Sequence, residues 1–138
     1  MPPEAVPPSV RVTYVTTFTR DVEALPSFYA AVFGLAEVEA SRSDRYRELA
    51  LGELKLGFPS IDAYPMVGLQ DQAEPQGVRA MITFAVDTLA AVDRLTARAV
   101  EHGARLAKGP FPTGFGQYLS VIVDPEGNAL RISAPSPS

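Results

Sequence analysis

VIVDPEGNALRIS, residues 121–133, carries the pattern that decides the fold. Two apolar runs flank a polar turn in which proline presets φ, glycine accepts a positive φ, and aspartate and asparagine can bond the backbone. We therefore predict two strands joined by this turn. Arg131 interrupts the second strand. Alternation along a strand places Leu130 and Ile132 on one face and Arg131 on the opposite face.

This pair of strands ends a unit that occurs twice along the chain. For the first half, the residue pattern predicts a helix at 21–34 and strands at 10–18, 35–41, 46–51 and 53–58. For the second half, it predicts a helix at 87–103 and strands at 79–86, 104–109, 116–124 and 128–133. Asp21 can cap the first helix. Pro26 lies too deep for a first helical position, which predicts either a late start or an irregular first turn.

The repetition predicts an α+β fold built from two βαβββ modules within a single domain at 9–134. Module one spans 9–58, a linker rich in turn and polar residues spans 59–77, and module two spans 78–134. The linker can also act as a lid. Four prolines among residues 1–8 predict a flexible arm, and 135–138 predict a flexible tail.

Composition excludes several classes of protein. The chain has no cysteine, so disulfides and thiolate chemistry are excluded. Its net charge of -4 without a basic stripe argues against nucleic-acid binding. No apolar run is long enough to span a membrane, and the first residues have no signal-peptide pattern, so we expect a cytoplasmic location. His102 is the single histidine.

Three stretches in a fixed order carry a family resemblance, namely RDVEALPSFYAAVFGL (20–35), ITFAVDTLAAVDRL with EHGARL (82–95 and 101–106), and DPEGNALRI (124–132). In this order they resemble the vicinal oxygen chelate superfamily, which includes glyoxalase I, bleomycin-resistance proteins and extradiol dioxygenases. The resemblance covers nearly all of 10–134. It implies that the sheets of the two modules curve into a cup, with the helices on the convex side and a ligand on the concave side.

Metal-dependent members of that family bind one divalent ion through four side chains, usually His and Glu. The resemblance carries these positions to Tyr14, Gly57, Met81 and Arg131, none of which is a plausible ligand. Arginine has a permanent positive charge and no usable lone pair. We therefore expect neither a metal nor another cofactor. A carboxylate site at Glu48 or Glu53 stays open, and with it a metal-dependent glyoxalase- or dioxygenase-like enzyme.

Arg131 has two interpretations at this stage. In the structural interpretation, Arg131 pairs with a carboxylate such as Glu48 or Glu53, or its head group reaches solvent. In the functional interpretation, its planar guanidinium binds an anionic or carbonyl group of a ligand. The aromatic residues of 108–120 likewise form either a hydrophobic clamp on the sheet rim or a wall of the site. The predicted ligand-binding residues are Tyr14, Thr16, Phe58, Met81, Thr83, Phe111, Phe115, Tyr118 and Arg131.

These features predict a metal-independent binding protein of the bleomycin-resistance type. It would sequester an aromatic or amphipathic ligand, such as an antibiotic or a secondary metabolite. The first alternative is a metal-free isomerase, lyase or cyclase, in which Tyr14 or Glu48 acts as acid or base and Arg131 stabilises an enolate. A third class is a structural module whose cup is filled by its own side chains. We also expect a homodimer that covers the sheet edges.

Overall fold

The computed structural model describes residues 8–9, 11–73, 77–78 and 80–136. Its elements follow the predicted order βαβββ, linker, βαβββ. Module one contains β1 (Tyr14–Thr16), α1 (Ala24–Phe33), β2 (Ala36–Glu37), β3 (Tyr46–Leu51) and β4 (Leu54–Pro59). Module two contains β5 (Met81–Ala85), α2 (Leu89–Glu101), β6 (Arg105–Pro112), β7 (Gln117–Val123) and β8 (Ala129–Pro135). The predicted arm at 1–8 and the end of the predicted tail lie almost wholly outside the described residues.

Each module forms one four-stranded mixed sheet. The strand orders are β1-β4-β3-β2 and β5-β8-β7-β6. In each sheet the first strand of the module runs parallel to the last, and the remaining neighbours are antiparallel. The register is also repeated, because Thr16 pairs with Gly57 in one sheet as Thr83 pairs with Arg131 in the other. The predicted α+β fold of two βαβββ modules is therefore confirmed.

Helix α1 starts late, as Pro26 predicts. The Asp21 carboxylate accepts hydrogen bonds from the backbone N–H groups of Glu23 and Ala24, both at 2.9 Å. These bonds lower the pKa of Asp21 below its usual value. Pro26 is the third helical residue, where a backbone N–H has no partner inside the helix in any case. Gly34, at φ 67°, ends the helix in the left-handed conformation.

Helix α2 packs a narrow apolar stripe against its sheet. The Thr88 hydroxyl accepts a hydrogen bond from the Ala91 N–H at 3.1 Å and caps the helix. Thr96 is buried and satisfies its hydroxyl through the Val92 carbonyl and Ser120. His102 lies at the exposed end of α2, next to Gly103. Among the described residues, no helix is long and apolar enough to cross a membrane.

Both helices lie on the same side of the sheets and share one core. Phe33 of α1 stacks on Phe84 of β5 with ring centroids 4.0 Å apart, so the two modules are packed together rather than merely linked. Leu130 and Ile132 are fully buried in this core, as the alternation predicts. Because neighbouring side chains on a strand point to opposite faces, Arg131 lies on the side away from the helices.

Some boundaries differ from the sequence prediction. β1 is regular only over three residues, although the N–H groups of Thr17 and Thr19 still bond β4 carbonyls at 2.9 Å. The third predicted element, 35–41, contains a two-residue strand and a short 3-10 helix, Glu39–Ser41. The predicted irregular linker contains two further 3-10 helices, Ile61–Val67 and Gln70–Gln72. Such short turns satisfy backbone groups locally where no strand partner is present.

Candidate ligand-binding site

The face of each sheet that lies opposite the helices carries the candidate polar groups, and we call it the open face. Register and alternation define its members from the strand pairs. On sheet one they include Tyr14, Thr16, Tyr46, Glu48, Lys55 and Gly57. On sheet two they include Met81, Thr83, Lys108, Phe111, Leu119, Val121, Ala129, Arg131 and Ser133. Six of the nine predicted residues thus lie on open faces: Tyr14, Thr16, Met81, Thr83, Phe111 and Arg131.

The other three predicted residues lie elsewhere. Phe58 is buried in the core, with its ring centroid 5.6 Å from that of Tyr29. Its neighbour Gly57 occupies the open face, so alternation already requires Phe58 to face the helices. Tyr118 also lies on the helix side, where its hydroxyl donates to Asp93 of α2 at 2.6 Å. Phe115 lies in the turn between β6 and β7 and is 68% exposed.

Arg131 is half-buried, and its cross-strand neighbour orients it. The Arg131 Nε donates a hydrogen bond to the Thr83 hydroxyl at 3.0 Å. Within the described residues, the ion pairs do not join Arg131 to Glu48 or Glu53. The arrangement therefore holds a cationic group on the open face of sheet two with its direction set by a neutral partner. A guanidinium held in this way can bind a carboxylate or a carbonyl oxygen.

A second polar group lies on the open face of sheet one. The Tyr46 hydroxyl donates to Glu48 Oε1 at 2.8 Å, and the Ser41 hydroxyl lies 3.5 Å from Oε2. Glu48 is only 4% exposed. Burial, followed by the hydrogen bond to Glu48, raises the pKa of Tyr46 well above its usual value. The phenol therefore stays protonated at neutral pH and donates toward the carboxylate.

Gly57 makes this arrangement possible. A Cβ atom at position 57 would lie 2.6 Å from the Tyr46 hydroxyl oxygen, so the tyrosine ring lies over the glycine backbone. Nearby, the Lys55 ammonium lies 6.0 Å from the Tyr14 ring centroid, a distance at which a cation interacts with a ring face. The contact of Tyr46 with Glu48 was missed at the sequence level, although the i, i+2 spacing of the two residues placed both on one face.

A cavity of about 540 Å³ lies at the junction of the two modules. Phe18 and Tyr64 stack along its wall with centroids 3.9 Å apart, and Tyr29 also borders it. The sequence predicted only Thr16 among its lining residues. The other described residues that line it are Val15, Thr17, Arg20, Ile61, Ala73, Gly77, Val78, Ala80, Ile82, Glu126, Gly127, Asn128 and Ala129. The lining combines aromatic and aliphatic surface with a few polar groups, as small-molecule sites do.

The turn of the opening motif forms part of the cavity wall and joins the modules. Glu126 accepts hydrogen bonds from the Thr19 hydroxyl and from the Arg20 N–H, the latter at 2.9 Å. Asp124 accepts a hydrogen bond from the Tyr29 hydroxyl at 2.7 Å. The acidic residues of DPEG therefore bond the β1–α1 connection and helix α1 of module one. The sequence pattern indicated a turn but contained no signal for this contact.

The residues present do not fit the divalent ion of metal-dependent relatives. The four positions carried over from the resemblance hold Tyr14, Gly57, Met81 and Arg131, and none supplies a metal ligand of the usual kind. Within the part of the chain that the structure describes, there is no cluster of three or more His, Cys, Asp or Glu that could hold a metal.

Neither Glu48 nor Glu53, the alternative carboxylates, belongs to such a cluster among the described residues. Glu53 is exposed in the turn between β3 and β4, whereas Glu48 is buried within β3. Glu48 is separated from the end of β3 at Leu51 by about 10 Å at the usual strand rise, and Glu53 lies beyond that end. The two carboxylates are therefore far apart along the chain direction.

Comparisons with known proteins agree with this fold. A family model described as "Glyoxalase/Bleomycin resistance protein/Dioxygenase superfamily" matches residues 11–132. A glyoxalase/bleomycin resistance protein/dioxygenase family enzyme from Burkholderia phytofirmans PsJN is 40% identical, with a TM-score of 0.86 over 89% of this chain and 97% of that chain. No curated protein sequence gives a significant match.

Two more distant structures share the fold. A glyoxalase-related enzyme from Fulvimarina pelagi is 22% identical, with a TM-score of 0.78 over 90% of this chain and 87% of that chain. Lactoylglutathione lyase from Agrobacterium tumefaciens is 21% identical, with a TM-score of 0.68 over 96% and 95%. The repeated modules, their common register and the family match together show that this chain belongs to the glyoxalase/bleomycin resistance protein/dioxygenase superfamily.

Proposed function

We propose that the protein is a metal-independent binding protein for an aromatic or amphipathic small molecule, such as an antibiotic or a secondary metabolite. The main observation in support of this proposal is the cavity at the module junction. Its volume of about 540 Å³ falls within the range of small-molecule sites. Its stacked Phe18 and Tyr64 rings present an aromatic wall on which a flat ligand can pack. The lack of a metal donor set at the family positions supports binding without a metal.

The open face of sheet two supplies a polar anchor beside the cavity. Ala129 lines the cavity, and Arg131 follows it on the same face of β8, about 7 Å farther along the strand at the usual rise. A ligand with its apolar body in the cavity and a carboxylate directed along the open face would meet Arg131. Thr83 holds the guanidinium for that contact. We propose the same cytoplasmic location that the sequence predicts.

The proposal is tested by binding of two matched probes, 2-naphthoate and the neutral 2-naphthalenemethanol, measured by calorimetry and thermal shift. We expect both probes to bind, and we expect Tyr64→Ala to weaken both because it removes half of the stacked aromatic wall. Phe115→Ala is the matched control, since that ring is exposed outside the cavity. Loss of binding in Phe115→Ala but not in Tyr64→Ala would contradict the cavity as the binding site and would indicate binding at the rim of sheet two.

A panel of aromatic antibiotics and metabolites extends the same measurement to the ligand class. The proposal predicts that members of this panel raise the unfolding temperature of the wild-type protein. If no aromatic compound binds while a divalent metal stabilises the protein, the proposal is wrong.

A further inference from the structure

Sheet two differs in charge from the rest of the chain, whose net charge is -4. The four strands of this sheet contain Arg105, Lys108 and Arg131 but no aspartate or glutamate. The strands of sheet one, by contrast, contain Glu37 and Glu48. Cationic side chains without acidic neighbours on the same sheet create a local positive potential, and such a potential attracts anions.

The strand register places all three cations on the open face of sheet two. Arg131 pairs with Val121 of β7, and Val121 pairs in turn with Lys108 of β6. Arg105 pairs with Val123, two residues along β7 from Val121. Residues directly opposite each other in a sheet share a face. Arg105 and Lys108 are three residues apart and would face opposite sides of a regular strand, but a register shift between them returns Lys108 to the open face.

Neutral partners orient two of these cations. The Arg131 Nε donates a hydrogen bond to the Thr83 hydroxyl at 3.0 Å. The Lys108 Nζ lies 4.5 Å from the Phe111 ring centroid, within the range of a cation–π contact. Among the described residues, no ion pair involves Arg105, Lys108 or Arg131. Arg131 and Lys108 are therefore held in place while their charges stay available to a ligand.

The separation of Arg131 and Lys108 indicates the shape of that ligand. The two residues lie on β8 and β6, so their backbones are two strand spacings apart, about 10 Å. Arg131 also leans away from Lys108, toward Thr83 on β5. The surface between the two cations is apolar, with Val121 in the same row and Leu119 two residues along β7. A ligand that contacts both cations therefore needs two anionic groups at the ends of an apolar spacer.

We propose that the open face of sheet two binds an elongated dicarboxylate with an apolar centre, with one carboxylate at Arg131 and the other at Lys108. The Arg131 guanidinium takes its carboxylate through the N–H groups that do not bond Thr83. Lys108 acts on the second carboxylate as a point charge. This site shares Arg131 with the proposed function but does not use the cavity, so the two proposals can fail independently.

The test compares 4,4′-biphenyldicarboxylate with 4-biphenylcarboxylate by calorimetry. The first compound holds its two carboxylates about two strand spacings apart, whereas the second has only one carboxylate. The dicarboxylate should bind wild-type protein about fivefold more tightly, the scale of one exposed charge contact. Its affinity should also fall more steeply as salt is added, because two charge contacts are screened instead of one.

Substitutions assign the second carboxylate to one side chain. Lys108→Gln should weaken the dicarboxylate by about fivefold and leave the monocarboxylate nearly unchanged, whereas Arg131→Gln should weaken both compounds. Lys55→Gln is the matched control, since it removes the other lysine of the chain, which lies on the open face of sheet one. It should leave both Kd values unchanged.

Several results would overturn the proposal. These are failure of the dicarboxylate to bind, equal affinity of the wild-type protein for the two compounds, and equal weakening by Lys108→Gln and Lys55→Gln, which would indicate a general effect of protein charge. Tyr64→Ala removes part of the cavity wall and should leave dicarboxylate binding intact. Loss of that binding in Tyr64→Ala would place the ligand in the cavity, which contradicts a separate site and leaves the proposed function standing.

Discussion

The Tyr29 hydroxyl donates a 2.7 Å hydrogen bond to Asp124 Oδ2 and so joins helix α1 of module one to the DPEG turn of module two. Both residues are buried, at 4% exposure each. The remaining bonds of Asp124 come from its own turn, where the backbone N–H groups of Glu126 and Asn128 bond Oδ1. One carboxylate therefore shapes the turn and attaches it to the other module.

Replacement of Tyr29 by phenylalanine should lower the free energy of unfolding by about 1–3 kcal/mol, because a buried bond to a charged acceptor is lost without a change in ring packing. Urea unfolding measures the change. Tyr118→Phe is the matched control, since it also breaks a tyrosine–aspartate bond, but an exposed one. It should have a much smaller effect, and equal losses in the two variants would contradict the importance of the buried bond.

The same bond predicts how stability depends on pH. Burial, with the nearby charge of Asp124, raises the pKa of Tyr29 above its usual value of about 10. The folded phenol therefore keeps its proton at a pH where the unfolded chain loses it. This contribution is fully present below pH about 10 and is lost as the pH rises further. The stability difference between wild type and Tyr29→Phe should be constant from pH 7 to 9 and should shrink at about pH 11.

Replacement of Arg131 should separate charged from neutral ligands. Arg131→Gln should weaken binding of 2-naphthoate by about tenfold, as expected for loss of one charge-assisted contact, and should leave 2-naphthalenemethanol unchanged. Arg94→Gln, an exposed residue on α2, is the charge-matched control. Equal weakening by the two substitutions would indicate a general effect of protein charge instead of a contact at Arg131.

Metal removal should have no effect on the folded protein. Dialysis against a chelator should leave the Tm unchanged, because the family's metal positions hold Tyr14, Gly57, Met81 and Arg131. Addition of Zn²⁺, Mn²⁺ or Ni²⁺ should not raise it. A metal-dependent rise in Tm that is also seen in the His102→Ala variant would indicate a metal site at other residues and would contradict metal independence.

We propose that the protein forms a homodimer through its edge strands. β1 and β5 end their sheets, and they expose Tyr14 at 49% and Met81 at 45%. Sedimentation at micromolar concentration should show a dimer, and Met81→Asp should shift it toward monomer by placing a charge in an apolar contact. Val100→Asp, at an exposed position of α2, is the matched control and should leave the dimer intact. A monomeric wild-type protein would contradict the proposal.

Much of the fold could be predicted from the sequence because its signals are local. The proline and glycine of the turn, the capping Asp21 and the periodic apolar residues each act within a few positions. Alternation predicted correctly that Leu130 and Ile132 face the helices and Arg131 faces away. Boundaries were less accurate. The length of β1 depends on its partner β4, which lies about 40 residues farther along the chain.

The candidate site was predicted less completely. The open-face positions of Tyr14, Thr16, Thr83 and Arg131 follow from strand parity. Phe58 was predicted as a ligand-binding residue but lies in the core, because its neighbour Gly57 occupies the open face. The stack of Phe18 on Tyr64 could not be predicted, since it brings the β1–α1 connection against a 3-10 helix of the linker.

The sequence by itself determined the order of elements, the repetition of the module and the face on which Arg131 lies, because turn chemistry and alternation are properties of neighbouring residues. It also determined that the family's metal positions lack metal ligands. Only the tertiary structure decided that Asp124 bonds Tyr29, that Tyr46 lies over Gly57, and that a cavity lies at the junction of the modules. These depend on how two sheets pack around one core, and packing joins residues whose sequence separation carries no local signal.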